Sequence, residues 1–335
     1  MAPAAPVTTV QSMGLETIRF ELGRDESGGL VLRWQSDTDH ELIIRGGSTP
    51  VVDDHAHLLT VPSSAQAVRL PTGPGRQYVS VLLGETTMVV AERCVGFEGA
   101  LNFRDIGGYP TTDGGQTRWG TVFRSNSLHR LTAEDLVTFD ALGIRSICDL
   151  RRDEEREGEP GPRPSLSFPL PSQRVADADP ETVRTHEDGQ RWLLSDYLGM
   201  LERAGPAMGH LLAHLAKEAG TPALIHCAGG KDRTGMTVAL LLSLLGVDRE
   251  TVLDDYELTG RIQSAKDIPW VVDVFVQMGI PRQGAEGMLS SPRWAMAEAL
   301  DRLDSAYGGV NHYLIDRGGL SFATVARLRD KLLDR

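Results

Sequence analysis

The stretch LIHCAGGKDRTG, residues 224–235, concentrates the residue types that can do chemistry. Cys227 follows an apolar run, and two glycines come shortly after it. Arg233 stands six positions after Cys227. A nucleotide-binding P-loop is excluded, because its first glycine would fall on Ile225 and its serine or threonine on Asp232. The spacing of Cys227 and Arg233 favours a different cradle, one for a tetrahedral anion.

The residues around Cys227 predict how such a cradle is built. An apolar strand that ends at His226 places the thiol at the carboxyl edge of a sheet, where α/β proteins commonly bind ligands. Gly229 and Gly230 let the backbone curl so that its N–H groups point inward, and a helix beginning near Arg233 adds its positive end. These donors favour the thiolate over the thiol. Together with the planar fork of Arg233, they suit in-line attack on a phosphate ester through a phosphocysteine intermediate.

The segment HCAGGKDRTG resembles the His-Cys-x5-Arg-Thr/Ser signature of the cysteine-dependent protein tyrosine phosphatases. Its Gly-Lys-Asp-Arg ending is similar to that of an atypical bacterial branch of tyrosine and lipid phosphatases. The motifs NFRDIGGY, VFRSNSLHRLT and LGIRSICDLRRDEE have the character and order of that family, and DDYELTG and AYGGVNHYL are also similar. The resemblance covers residues 96–335. It implies an α/β, tyrosine-phosphatase-like fold and the hydrolysis of phosphotyrosine.

The resemblance also implies roles for the matching residues. Cys227 is the expected nucleophile, and Thr234 is expected to donate a hydrogen bond to the thiolate as it leaves the phosphoenzyme. The expected phosphate-binding residues are those of the loop and the first turn of the helix: Ala228, Gly229, Gly230, Lys231, Asp232 and Arg233.

Two residues are candidates for the acid that protonates the leaving group. Many tyrosine phosphatases supply an aspartate from a Trp-Pro-Asp loop, and this sequence does not contain that tripeptide. In the bacterial branch the aspartate inside the cysteine loop has this role, which the resemblance assigns to Asp232, although the flanking Lys231 and Arg233 favour its charged form. The alternative is Asp196, which precedes Cys227 by about the distance at which dual-specificity relatives keep an acid.

Residues 1–95 predict a separate β-rich domain. Short apolar stretches with period-two alternation, such as Leu30, Leu32 and Trp34, are separated by clusters of Gly, Pro, Asp and Ser. Several short strands with regular turns are typical of an antiparallel sandwich. The stretch LPTGPGRQYVSVLL also resembles the proline-glycine turn and tyrosine-bearing strand of fibronectin type III domains. We therefore expect a small β-sandwich domain, followed by a catalytic domain over residues 96–335.

In the second part of the chain, strands alternate with helices. Thr132 and Asp135 stand at capping-box spacing at the start of an amphipathic helix. The alternation predicts a mostly parallel sheet flanked by helices, interrupted by a long irregular excursion at 156–190. The segment 268–279, IPWVVDVFVQMG, is apolar on more than one helical face. It predicts either a core helix or, as in the bacterial relatives, part of a mobile lid within residues 261–300.

Composition limits the partners. A formal net charge of −12 over 335 residues argues against binding to nucleic acid or acidic membranes, so an anionic substrate needs a local positive site. No metal or other cofactor is expected, since Cys94, Cys148 and Cys227 are too few and too far apart for a zinc cluster or a disulfide framework. The sequence predicts no signal peptide and no membrane-spanning stretch, and hence a cytoplasmic protein without stable membrane insertion.

For several other conspicuous residues a structural interpretation is favoured. Cys94 and Cys148 are expected to be packing thiols, with a resolving role for Cys148 as the alternative. Arg104 and Asp105 are expected to form an ion pair that braces their loop. The acidic run RRDEEREGE, residues 151–159, is expected to be a solvated face.

Two classes of function follow. The first is a phosphatase that acts on phosphotyrosine and, with a broader specificity, on phosphoserine, phosphothreonine or phosphoinositides. The second is a pseudophosphatase, a phosphate-binding interaction module whose β-rich domain recruits partners. The presence of Cys227, Arg233 and Thr234 favours the enzyme, because a module that only binds phosphate needs no nucleophile.

Overall fold

The structure, a computed structural model, describes residues 9–13, 16–36, 40–73, 75–263 and 268–334. Parts of three predictions lie outside the described residues. These are the signal-peptide prediction for residues 1–8, the turn at Pro74 and residues 264–267 of the predicted lid.

The first part of the described chain folds into two antiparallel four-stranded sheets. Their strands are β1 (Thr9–Met13), β2 (Glu16–Arg24), β3 (Leu30–Gln35), β4 (Glu41–Gly47), β5 (Ala56–Pro62), β6 (Ala67–Leu70), β7 (Tyr78–Leu83) and β8 (Thr86–Ala91). One sheet has the order β1-β2-β3-β6 and the other the order β5-β4-β7-β8. Leu30, Leu32 and Trp34 are buried in the core between them, as the alternation of β3 predicts. The small β-sandwich is confirmed, and its likeness to fibronectin type III stays a prediction.

A second core surrounds a five-stranded sheet beyond residue 95. The strands in this part of the described chain are β9 (Arg104–Asp105), β10 (Gln116–Thr117), β11 (Val122–Ser125), β12 (Ser146–Asp149), β13 (Leu166–Ser167), β14 (Ala223–His226) and β15 (Leu333–Asp334). The order is β13-β12-β14-β11-β9, with parallel neighbours except for the antiparallel edge strand β9. The mostly parallel sheet is therefore confirmed.

Helices cover both faces of this sheet. They are α1 (Ala133–Ala141), α2 (Asp153–Gly158), α3 (His186–Arg203), α4 (Gly205–Leu215), α5 (Asp232–Leu245), α6 (Arg249–Ile262), α7 (Pro269–Gln277), α8 (Arg282–Leu289), α9 (Arg293–Tyr307), α10 (Val310–Asp316) and α11 (Phe322–Leu332). Phe139 of α1 packs with Phe123 and Leu224 on one face, while Ile225 belongs to the cluster formed with α3, α4 and α5 on the other. The capping box that begins α1 is present as predicted.

Helix α7 differs from the predicted core helix. Val272 is its one buried residue, whereas Trp270 and Met278, the residue that follows the helix, are 51% and 52% exposed. The core-helix interpretation is wrong, because only a narrow stripe of this apolar segment meets the small cluster that it shares with α8. Helix α8 itself packs tightly on α3, since a Cβ added to Gly189 would lie 2.2 Å from the Gly284 carbonyl oxygen. The mobility of a lid stays a prediction.

The β-sandwich and the second core meet through buried cations and aromatic rings. The Nη1 atom of Arg76 donates to Asp105 Oδ2 at 2.7 Å, and the Nη1 atom of Arg93 donates to the Asp105 carbonyl oxygen at 2.8 Å. Trp119 donates from its indole nitrogen to the Val89 carbonyl oxygen at 2.8 Å. Side chains from the first part of the chain therefore support the strand β9 and the loop that follows it.

The predicted ion pair between Arg104 and Asp105 is wrong. Consecutive residues of a strand point to opposite faces, so the two side chains diverge. Asp105 binds Arg76, while Arg104 donates to Asp255 Oδ1 at 3.1 Å. Each charge is paired, but with a residue from a distant part of the sequence.

Candidate active site

Cys227 lies between the end of β14 and the start of α5, at the carboxyl edge of the parallel sheet. Its side chain is buried, with 2% of the residue exposed. The backbone N–H of Gly230 donates to Cys227 Sγ across 3.2 Å. The sulfur is therefore buried, accepts a backbone N–H and lies close to the N-terminus of α5.

The turn of the loop depends on one of its two glycines. Gly230 has φ +67, and a Cβ at this position would lie 2.5 Å from the Asn126 nitrogen and the Ser125 carbonyl oxygen. Gly229 has neither a positive φ nor an atom within 4 Å of such a Cβ. The predicted need for glycine therefore rests, in backbone terms, on Gly230 alone.

Two buried donors fix the carbonyl of Gly230. Arg124 Nη2 lies 2.9 Å from this oxygen and Asn102 Nδ2 lies 3.0 Å from it. In a trans peptide the C=O and the following N–H point in opposite directions, so this clamp turns the N–H of Lys231 away from Arg124 and Asn102. The loop conformation is thus held from outside the loop.

Asp255 anchors the clamp in turn. Its Oδ2 atom accepts from Arg124 Nη1 at 2.5 Å, and its Oδ1 atom accepts from Arg104 and from the Tyr109 hydroxyl. Burial would raise the pKa of Asp255, but the neighbouring arginines, Arg104 first, hold it well below its usual value. A carboxylate that stays ionised at all working pH values keeps Arg124 in place.

Arg233 is held by a carboxylate that the sequence interpretation left on the surface. Its Nη1 and Nη2 atoms donate to the two oxygens of Glu155 at 2.7 and 2.8 Å. Burial alone would lower the pKa of Arg233, but the hydrogen bonds to Glu155 raise it above its usual value. Within the described residues Nε of Arg233 makes no hydrogen bond, so it can receive an anion. The solvated-face interpretation of residues 151–159 is wrong for Glu155.

Lys231 directs its side chain to the end of α8. Its Nζ atom donates to the carbonyl oxygens of Met288 and Ser290 at 2.6 and 2.7 Å and lies 3.4 Å from Asp232 Oδ1. Burial lowers the pKa of Lys231. Of its two donor groups, the ammonium holds α8 and the backbone N–H remains for the loop.

The two candidate acids lie close to each other. Asp232 is the first residue of α5, and its Oδ1 atom accepts from the Tyr197 hydroxyl at 2.7 Å. Asp196 is buried on α3, and its Oδ1 atom accepts from the Gln173 backbone at 2.6 Å. Burial, with a further contribution from the charge of Asp232, raises the pKa of Asp196 to about 7. The geometry brings both predicted acids to the site.

Thr234 is fully buried one residue after Arg233. Its hydroxyl oxygen has no hydrogen-bond partner within the described residues. The hydrogen bond expected from Thr234 as the thiolate leaves the phosphoenzyme stays a prediction.

Burial acts on the two cysteines expected to be packing thiols and on the ring of His226. Burial raises the pKa of the Cys148 thiol to about 12 and also raises that of Cys94. All three cysteines are free. Burial lowers the pKa of His226 to about 4, so its ring is neutral near pH 7 between Asp149 and the Cys227 carbonyl oxygen.

Sequence reasoning missed several residues that hold the site: Asn102, Arg124, Glu155, Tyr197, Asp255 and Tyr256. Each lies inside or directly beside a segment that the sequence analysis had singled out, such as NFRDIGGY or DDYELTG. Those motifs were the available signal. Their pairing could not be found, because the partners are separated by up to 157 positions in the chain.

The fold and the loop between β14 and α5 agree with the comparison with known proteins. The sequence profile of the tyrosine phosphatase family matches residues 95–334. The chain belongs to the tyrosine phosphatase family. It is a cysteine-dependent protein tyrosine phosphatase, and the β-sandwich precedes the part that the profile matches.

Three relatives support the assignment. The triple specificity protein phosphatase PtpB of Mycobacterium tuberculosis is 32% identical over 284 residues, covering 70% of this chain and 97% of that protein. A putative tyrosine-protein phosphatase of Cupriavidus necator is 24% identical, covering 66% of this chain and 82% of the relative. A tyrosine-protein phosphatase of Nostoc commune is 26% identical, covering 57% and 67% respectively.

Two features of the described residues bear on other predictions. None of the helices there is both long and apolar enough to cross a membrane. No group of three or more His, Cys, Asp or Glu side chains in that part of the chain is arranged to hold a metal ion. The cytoplasmic location and the lack of a cofactor stay predictions.

Proposed function

We propose that the chain hydrolyses phosphotyrosine with Cys227 as the nucleophile. The observation that carries the proposal is the buried sulfur of Cys227, which accepts the Gly230 N–H at the N-terminus of α5 beside Arg233. The backbone N–H groups from Ala228 to Arg233 and the Nε atom of Arg233 would bind the phosphate oxygens. Lys231 would contribute its backbone N–H, since its ammonium is bonded to α8.

In the proposed first step, Sγ of Cys227 attacks phosphorus and the bond to the ester oxygen breaks. The leaving oxygen takes a proton from an acid, for which we favour Asp232. In the second step a water molecule gives a proton back to Asp232 and attacks the phosphocysteine, which releases inorganic phosphate and the thiolate. The hydroxyl of Thr234 would donate a hydrogen bond to the departing sulfur.

The substrate range we propose is broader than phosphotyrosine. The relative from M. tuberculosis is named a triple specificity protein phosphatase, which supports activity on phosphoserine and phosphothreonine. We include phosphoinositides because the Gly-Lys-Asp-Arg ending of the loop is similar to that of the bacterial branch of tyrosine and lipid phosphatases. A comparison of kcat/KM over a panel of phosphopeptides and phosphoinositides tests this range, and nucleic acid is not an expected partner.

The nucleophile is tested with Cys227→Ser and the matched control Cys148→Ser, which alters a buried thiol on the neighbouring strand. Cys227→Ser should abolish hydrolysis of 4-nitrophenyl phosphate and keep the binding of vanadate, while Cys148→Ser should remain active. A phosphorylated peptide containing Cys227 should appear by mass spectrometry after an acid quench. Turnover by a clean Cys227→Ser preparation would overturn the covalent mechanism. Absence of turnover by the wild type would instead favour the alternative, a phosphate-binding module without this chemistry.

The acid is tested by leaving-group dependence. Asp232→Asn should slow the hydrolysis of phenyl phosphate, which has a poor leaving group, far more than that of 4-nitrophenyl phosphate. General acid assistance contributes about 10²–10⁴-fold, so the contrast is measurable. Asp196→Asn should have little effect on the same contrast. The reverse pattern would assign the role to Asp196.

We also propose a division into a β-sandwich domain, 1–95, and a catalytic domain, 96–335. Separate cores on either side of this boundary support it, and the family profile begins at residue 95. The buried contact of Arg76 with Asp105 indicates that the sandwich also braces the catalytic domain. Limited proteolysis that releases a stable fragment beginning near residue 95 would support the boundary.

A further inference from the structure

One oxygen of the Asp232 carboxyl is bound and the other is open. Oδ1 accepts a hydrogen bond from the Tyr197 hydroxyl at 2.7 Å. Oδ2 accepts no hydrogen bond within the described residues, and the side chain is 31% exposed. Oδ2 is therefore the oxygen through which Asp232 can meet a bound substrate.

The hydroxyl of Tyr197 has a second neighbour. It lies 2.6 Å from the hydroxyl of Tyr256, and the two rings meet edge to face with centroids 6.0 Å apart. Each hydroxyl has one proton to donate. Because Tyr197 donates its proton to Asp232, Tyr256 must donate to Tyr197. The result is a chain of two donors that runs in one direction and ends on Oδ1.

Both tyrosines are fixed and neutral. Tyr197 is 0% exposed and Tyr256 is 1% exposed, and a Cβ added to Gly235 would lie 3.1 Å from the Tyr256 ring. Burial first, and then the charge of Asp232, raises the pKa of both hydroxyls. The two hydroxyls therefore remain donors throughout the pH range in which a phosphatase works.

We propose that Tyr197, supported by Tyr256, is a positioning residue that places the acidic proton of Asp232 on Oδ2. The inference rests on the proposed role of Asp232 as the acid. A carboxyl whose Oδ1 already accepts a proton donor carries its own proton on Oδ2, the open oxygen. As the ester bond breaks, that proton moves to the leaving oxygen, and the hydrogen bond to Oδ1 stabilises the carboxylate that forms.

The test is a double-mutant cycle with two substrates. Tyr197→Phe should reduce kcat/KM for phenyl phosphate by about 10- to 100-fold and kcat/KM for 4-nitrophenyl phosphate by less than about 3-fold. The comparison uses kcat/KM because it reports the first step, whereas hydrolysis of the phosphocysteine is common to both substrates. In an Asp232→Asn background, Tyr197→Phe should cause no further loss, since the two act through one proton. Tyr256→Phe should also slow phenyl phosphate more than 4-nitrophenyl phosphate, but by a smaller factor.

Tyr313→Phe is the matched control. Its hydroxyl is also buried and donates to the Leu201 carbonyl oxygen at 2.9 Å, but it belongs to α10 and has no contact with Asp232. It should leave the ratio of the two kcat/KM values unchanged, even if it destabilises the fold as much as Tyr197→Phe does. Thermal melts of both variants make the comparison fair.

The inference and the proposed function fail in different ways. Equal loss on both substrates for Tyr197→Phe, or the same loss with Asp232→Asn already present, would overturn the positioning role and leave the phosphatase intact. If Tyr197→Phe lost activity selectively on phenyl phosphate but Asp232→Asn did not, the positioning role would also be overturned, since Asp232 would not be the acid. Retained turnover by Cys227→Ser would instead overturn the proposed covalent mechanism itself.

Discussion

The buried carboxyl of Asp196 should make the stability of the protein depend on pH in a defined direction. Burial raises its pKa from the usual 3.8 to about 7 in the folded state. Below pH 3.8 the carboxyl is protonated in both the folded and the unfolded chain, so its contribution to stability is fully present. As the pH rises through the folded-state pKa, the fold must hold a buried charge, and that contribution is lost.

The magnitude follows from the size of the shift. Between the unfolded and the folded pKa, the carboxyl is ionised in the unfolded chain and protonated in the folded one. Each unit by which the pH rises in this range lowers the free energy of unfolding by about 1.4 kcal/mol. Between about pH 5 and the folded pKa near 7, this amounts to roughly 2–3 kcal/mol. Asp196→Asn removes the titration and keeps an oxygen that can accept from the Gln173 N–H. The substitution should therefore stabilise the fold by about 2 kcal/mol more near pH 8 than near pH 5.

The assay is urea unfolding of the wild type and Asp196→Asn at the two pH values, in the same buffer and salt. Glu202→Gln is the control, because it removes an exposed carboxylate from the same helix. A surface substitution of this kind should change the free energy of unfolding by no more than about 0.5 kcal/mol at either pH. An equal effect of Asp196→Asn at both pH values would refute the reasoning, since Asp196 would then not titrate between them.

Three further substitutions test contacts that hold the site and the fold. Glu155→Gln should lower kcat/KM by about 10- to 100-fold, because Arg233 loses its charged partner; an unchanged kcat/KM would mean that the anion alone orders Arg233. Gly230→Ala should cost about 1–2 kcal/mol of backbone strain and abolish most activity, and full activity would contradict the steric argument. Arg76→Met should lower the free energy of unfolding by about 3 kcal/mol through the unpaired carboxylate of Asp105, and chemical unfolding at neutral pH measures it.

The local features of the fold could be predicted from the sequence. Period-two alternation placed Leu30, Leu32 and Trp34 in the sandwich core, and the capping box of Thr132 and Asp135 begins α1. These features depend on residues within a few positions of one another in the chain, and the period of the apolar residues indicates which face of a strand or helix is buried. The family signature likewise predicted the fold, because it is itself a short strand, loop and helix.

The predictions that were wrong concern partners far apart in the chain. Arg104 and Asp105 are adjacent in sequence, which suggested a pair, but the pleat of β9 sends them to Asp255 and Arg76. Glu155 lies in an acidic run that has the composition of a solvated face. Its role depends on the contact between α2 and Arg233 in the first turn of α5, and the composition of the run does not predict that contact.

The helix α7 shows a different limit. Its sequence is apolar enough for a core, but burial depends on how many neighbours surround a helix and not on its hydropathy alone. Only Val272 and the partly buried Phe275 of this helix meet the cluster shared with α8. Trp270 instead stacks against Arg130, whose guanidinium lies 4.5 Å from the ring centre. A sequence predicts which residues prefer to be buried, whereas the neighbouring elements that could bury them are determined by the rest of the fold.

The two candidate acids show both limits, since neither their distant partners nor their burial could be predicted from the sequence. The sequence placed Asp232 and Asp196 as alternatives, because each stands at a distance from Cys227 that relatives use. The structure puts both in one place, yet in different environments: Tyr197 fixes Asp232 at an open helix end, while Asp196 is buried against a single backbone N–H. Two carboxyls whose environments differ in this way are suited to different tasks. Asp232 is partly exposed and can reach a substrate with its free oxygen, whereas Asp196 is buried and can act on the reaction mainly through its charge on Asp232.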